Sequence, residues 1–192
     1  MPALEVTNLG LIACLGWGSL IWDGGSLPVE GEWRTDGPHL PLEFARQSSG
    51  NRITLVIVAG GDLIPALWSQ LTVASMEEAI SALADREGVT KADVIGRWPN
   101  HTSARYPCED VIGDWARGNG LSGVVWTALP PGMAKARHQV PALKEILRYF
   151  DGLADGEQLR AAEYIAKAPP QIRTPYREEL SAYFRARGNR HE

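Results

Sequence analysis

The segment Ile53-Thr54-Leu55-Val56-Ile57-Val58-Ala59 constrains the fold more than any other. It is rich in β-branched side chains and closes at Gly60-Gly61, so it reads as a strand. A second apolar run, Leu9 to Leu15, is nearly continuous and suits a strand covered on both faces. Ser122 to Leu129 carries Val124-Val125-Trp126 and stops at Pro130-Pro131. Two weaker strand candidates are Val29 to Arg34 and Leu40 to Arg46. In the latter, Leu42 and Phe44 share one face and Glu43 takes the other.

Helical patterns occupy the middle and the end. Ser75-Met76-Glu77-Glu78 is a capping box, with an apolar stripe of Met76, Ile80, Leu83 and Ala84 behind it and Gly88 as the stop. Thr90 with Asp93 predicts another helix through Val94 to Trp98, ending before Pro99. A short helix is expected over Glu109 to Arg117, burying Ile112 and Trp115. Three more follow. The first opens at Pro141 and carries Leu143, Ile146, Leu147 and Phe150 on one face. The second includes Leu159, Ala162 and Ile165. The third is entered through Thr174-Pro175 and carries Tyr176, Leu180, Tyr183 and Phe184.

Strands gathered in the first third, with one late strand after helices, argue against a regular βαβ array. The expectation is an α+β protein: a small mixed β-barrel or strongly curved sheet with surrounding helices. Its 192 residues, 44% hydrophobic, suffice for a single domain over 1–192 with a helical C-terminal segment at 141–187.

Nineteen Lys and Arg against 23 Asp and Glu give a net charge of -4, which supplies no global attraction to nucleic acid or to an anionic membrane. No stretch approaches the roughly 20 apolar residues of a membrane span. Met1 to Glu5 lacks the basic start of an export signal, so the expected location is cytoplasmic. Cys14 and Cys108 are too few for a disulfide framework or a four-thiolate metal site. A single bridge between them stays open, and reduced thiols are the simpler reading. The four histidines have no metal-ligand spacing.

Three places could carry chemistry. Gly16-Trp17-Gly18-Ser19-Leu20-Ile21-Trp22 leaves the first strand directly. Its glycines permit tight turning and open N–H groups, Ser19 adds a hydroxyl, and Trp17 or Trp22 could wall a pocket. A plain strand-to-turn junction with core tryptophans explains the same residues. Glu43 would have a raised pKa and suit proton transfer if its face lines a cavity, and would be a solvated sheet residue otherwise. Arg46, Gln47 and Ser48 could grip a substrate carboxylate. A bulge would be needed to bring Arg46 round to the side of Glu43. Glu145 and Glu163 read as helix surface. Seven tryptophans leave room for a tryptophan-rich interaction module as well.

Leu15-Gly16-Trp17-Gly18-Ser19-Leu20-Ile21-Trp22 resembles the glycine-serine-leucine substrate loop of gamma-glutamylcyclotransferase-like proteins, nearest to their ChaC-like branch. Phe44-Ala45-Arg46-Gln47-Ser48 is similar to that family's aromatic-basic second strand, and Gly123-Val124-Val125-Trp126 to its late strand. Ala166 to Leu180 is loosely similar to its C-terminal segment. The resemblance implies a β-barrel with surrounding helices and release of 5-oxoproline from a small gamma-glutamyl compound or related amide without a cofactor. It further implies substrate contacts at Trp17, Gly18, Ser19 and Leu20. The family glutamate that follows the late strand has no glutamate-glycine-tyrosine counterpart here. Glu43 is therefore the candidate proton acceptor, with Arg46 and Ser48 as candidate substrate contacts. The implied partner is a small amino-acid-derived molecule, with no nucleic acid and no membrane; a homo-oligomer stays open. The alternative is a non-catalytic small-molecule-binding or regulatory protein that retains the pocket.

Overall fold

In a computed structural model describing residues 10–90 and 92–188, strands dominate the first half and helices the second. In chain order, β1 (Ile12–Gly16), β2 (Val29–Arg34), β3 (His39–Gln47), β4 (Ile53–Ile57), β5 (Leu63–Pro65) and β6 (Leu67–Leu71) precede helix α1 (Met76–Glu87). Next come β7 (Ile95–Trp98), α2 (Glu109–Gly118), β8 (Gly123–Thr127) and the short β9 (Gly132–Met133) and β10 (Ala136–Arg137). Helices α3 (Leu143–Asp151), α4 (Asp155–Lys167) and α5 (Pro175–Gly188) complete the described chain. Among the described residues no helix is long and apolar enough to cross a membrane.

The α+β class is as expected, but the barrel or strongly curved sheet is not. The strands form two separate mixed sheets. One has the order β2-β6-β1-β8-β7; the other runs β10-β9-β3-β4, with β5 also paired to β3. In the first sheet β1 is parallel to β8 and antiparallel to β6. Closure requires a hydrogen-bonded ladder between the first and last strands, and β2 and β7 lie at opposite ends of that sheet. The sheets are joined by packing instead. Leu15, Val124 and Trp126 from one share a buried cluster with Leu42, Phe44, Ile53 and Leu55 from the other. The chain changes sheets between Pro65 and Leu67, where the Gly37 N–H donates to the Ala66 carbonyl. A Cβ on Gly37 would sit 2.4 Å from that carbonyl oxygen, so glycine is what allows the two segments to cross so closely.

Sequence-coded caps hold up well. The Glu78 N–H donates to the Ser75 hydroxyl at 3.1 Å, and Gly88 closes α1 in the left-handed conformation. The region after Thr90 differs from expectation. Ala92–Val94 make only a 3-10 turn, and Ile95–Trp98 then pair antiparallel with β8. The cause is tertiary: Gly96 lies against the fully buried Trp126 indole, 2.2 Å from where a Cβ would stand, a fit that only a glycine permits. Helix α4 includes Leu159, Ala162 and Ile165 as expected; Leu159 is exposed, and the helix buries Ala161, Tyr164 and Ile165. Trp115 is half-buried, its indole N–H donating to the Asp36 carbonyl.

Candidate functional site

The glycine turn after β1 borders a polar cavity of about 480 Å³. One wall is the turn itself, where the Ile21 N–H returns to the Gly18 carbonyl at 3.0 Å and winds Ser19–Ile21 into a single 3-10 turn. Trp17 is pinned by its indole N–H, which donates to the Leu55 carbonyl of β4 at 3.2 Å. Gly16 is close-packed: a Cβ there would lie 2.7 Å from Ile21 and 2.9 Å from Trp33. Ser48 and Arg52 from the β3–β4 connection and Thr54 of β4 also line it, and the end of α1 contributes Asp85, Arg86 and Glu87.

Tyr164 of α4 closes the floor. Its ring meets Trp22 edge-on at 5.4 Å between centroids, and its hydroxyl lies 3.0 Å from where a Gly18 Cβ would be. Burial pushes the Tyr164 phenol up, while the Ser19 amide and hydroxyl, both bonded to its oxygen, pull it back down. Ser19 in turn accepts from the Arg86 guanidinium at 3.2 Å. Arg86 also donates to the Asp23 carbonyl and pairs with Glu87, whose side chain keeps 17% of its surface accessible. The guanidinium thereby ties the turn, the carboxylate and the tyrosine into one connected polar network.

Trp17, Gly18, Ser19, Leu20 and Ser48, expected at a substrate site, all line this cavity. Arg46 and Glu43 do not. The strand bulge between Phe44 and Arg46 exists, placing Arg46 opposite Thr54 and so on the side away from Phe44. Its guanidinium, however, donates to the Pro130 carbonyl at 2.7 Å. Burial and the neighbouring Arg137 both weaken its hold on its proton.

Glu43 is buried, as a pocket role demanded, but its carboxylate serves the start of α5. One oxygen accepts the Phe44 N–H at 2.7 Å and the Thr174 hydroxyl; the other accepts the Tyr176 N–H at 3.2 Å. Burial raises its pKa, and these three bonds oppose the rise. Glu145 and Glu163 are exposed. The half-buried carboxylate that does reach the cavity, Glu87, was missed. One signal was present: an acid in the last turn of a helix, just before Gly88, opposes the helix dipole and therefore has a reason to be there other than helix stability.

Fold and site together define an α+β protein with two open mixed sheets and a serine- and arginine-lined cavity at the end of β1. Among the described residues no group of three His, Cys, Asp or Glu side chains could hold a metal ion. No protein-family model matches the chain, and comparison with curated proteins finds no significant match.

Proposed function

We propose that this cavity binds a small gamma-glutamyl compound and releases 5-oxoproline from it by cyclotransfer. The observation that carries the reading is the union of the 16–20 turn with Glu87 through Arg86. The reaction needs a tightly held headgroup, a proton acceptor for its α-amine and a donor for the developing oxyanion. In this reading Glu87 takes the proton as the amine nitrogen attacks the side-chain carbonyl carbon. Tyr164 donates to the carbonyl oxygen: its own oxygen already accepts from Ser19, which leaves its proton free to turn toward a ligand. The tetrahedral centre then collapses, the bond to the leaving amine breaks, and Glu87 returns its proton to that amine. No water or cofactor enters the balance.

A cytoplasmic setting fits this reading, since Cys14 and Cys108 are both free thiols. The test is 5-oxoproline and amine release from a panel of gamma-glutamyl dipeptides and amines. Glu87→Gln should lower kcat by roughly 100-fold or more with KM little changed, since it removes the proton acceptor and keeps the shape. Tight binding of the panel without product would favour a binding or regulatory protein. Full turnover in a folded Glu87→Gln variant would refute the assignment.

A further inference from the structure

Two cations line the cavity among the described residues, Arg52 and Arg86, and they are differently occupied. Every guanidinium nitrogen of Arg86 is engaged, toward Glu87, the Ser19 hydroxyl and the Asp23 carbonyl. Arg52 is held only at its base: its Nε donates to the Ser49 carbonyl at 3.1 Å, and its guanidinium carbon lies 5.3 Å from the Tyr164 ring centroid. Among the described residues no carboxylate is paired with it.

The segment that carries Arg52 is anchored at both ends and in the middle. The Ser48 N–H donates to the Arg52 carbonyl at 2.8 Å. Asn51 donates to Glu157 of α4 at 2.6 Å and accepts from the Tyr149 hydroxyl of α3 at 3.0 Å. A half-buried arginine on a clamped turn, resting on an aromatic face with its two terminal nitrogens unopposed by an acid, is a preorganised receptor for a planar carboxylate.

We infer that Arg52 receives the free α-carboxylate of the ligand headgroup and so restricts the site to compounds in which that carboxylate is neither amidated nor esterified. The inference rests on the cyclotransfer reading only for the identity of the headgroup; the carboxylate receptor itself can be measured by binding alone. Ser48, beside it on the cavity wall, adds a hydroxyl at the same end.

The experiment is calorimetric titration of the protein with 5-oxoproline and with its carboxamide, which has the same shape and lacks the charge. Wild type should prefer the acid by ~10–100-fold, the worth of a charge-assisted two-point contact. Arg52→Gln should abolish the preference while leaving affinity for the carboxamide unchanged within about threefold. Arg52→Lys, which keeps the charge and loses the fork, should retain part of the preference. Equal binding of acid and amide by wild type, or binding of neither, would overturn the inference. So would equal losses for both ligands in Arg52→Gln, the signature of an arginine that merely props Tyr164. Loss of discrimination in Arg52→Gln together with unaltered turnover in Glu87→Gln would sustain the carboxylate receptor and reject the proton acceptor.

Discussion

Replacing Glu43 with glutamine separates two roles for a buried carboxylate. A helix begins with four N–H groups that have no partner within it. In α5 the first three helical positions leave none unmet. Pro175 has no N–H, the Tyr176 N–H goes to Glu43, and the Arg177 N–H goes to the Thr174 hydroxyl at 3.2 Å. The Glu178 N–H already makes the first intrahelical bond, to the Thr174 carbonyl. A glutamine can keep its oxygen on Phe44 and Thr174, but its NH2 then confronts the Tyr176 N–H, donor against donor. One unsatisfied buried N–H costs about 1–3 kcal/mol. Loss of a negative charge at a helix N-terminus adds about 0.3–1 kcal/mol, partly offset because a neutral amide is easier to bury. A net loss of about 1–2 kcal/mol should lower the urea midpoint by roughly 0.5–1 M for an m-value of about 2 kcal/mol/M. Turnover, measured without denaturant, should stay within about threefold of wild type. The pH dependence has a fixed sign. Because the folded pKa of Glu43 is raised, its contribution to stability is fully present below the ordinary glutamate value and is lost as pH rises through the raised one. Glutamine does not titrate, so the variant's deficit should widen between pH 7 and pH 4. A variant of full stability that loses 100-fold in turnover would show that Glu43 meets the substrate after all.

Two glycines test the packing around the site and the core. Gly18→Val adds branched carbon where a single Cβ already lies 3.0 Å from the Tyr164 hydroxyl. Release of 5-oxoproline should fall by about tenfold or more, with little change in the thermal midpoint; an active Gly18→Val protein would remove the turn from the site. Gly96→Ala drives a methyl group into the Trp126 indole and should cost about 1–3 kcal/mol of overpacking. Thermal unfolding followed by the near-ultraviolet tryptophan signal should register the loss, and an unchanged midpoint would mean that β7 shifts freely against β8.

What the sequence made legible was local. β2 spans the expected Val29–Arg34, β4 and β8 fall within the apolar runs, β1 overruns its own by one residue at Gly16, and Ser75, Gly88 and Thr174-Pro175 mark helix ends by side-chain and backbone chemistry confined to a few neighbours. What it hid was long-range. β6 is a short segment just after Pro65 whose alternation is blurred, yet it sits second in the first sheet because β1 and β2 both pair with it. Whether a sheet closes depends on which distant edges meet, and no run of residues records that. Local pattern likewise read Thr90 to Trp98 as helix, and the strand won through β8 and Trp126. Alternation correctly opposed Glu43 to Leu42 and Phe44. The group that claims its carboxylate, Thr174, lies 131 residues further on.

The same distinction explains why the turn was found and its acid was not. The turn is one contiguous stretch whose glycines are needed on the spot, Gly16 under Trp33 and Gly18 against Tyr164. Glu87 becomes informative only when two facts are joined. It occupies the end of α1 where the helix dipole disfavours an anion, and Arg86 offsets that by pairing with it while reaching back to Ser19 and the Asp23 carbonyl. Arg86 lies 67 residues from Ser19 in sequence, so neither the compensation nor the cavity it braces is written in any one segment. An acid held at the unfavourable end of its helix by an arginine that also grips the glycine turn is coupled to that turn: displacing either moves the other. That coupling is why the carboxylate and the turn are best read as one site rather than two neighbours, and why weakening Arg86 should disturb both together.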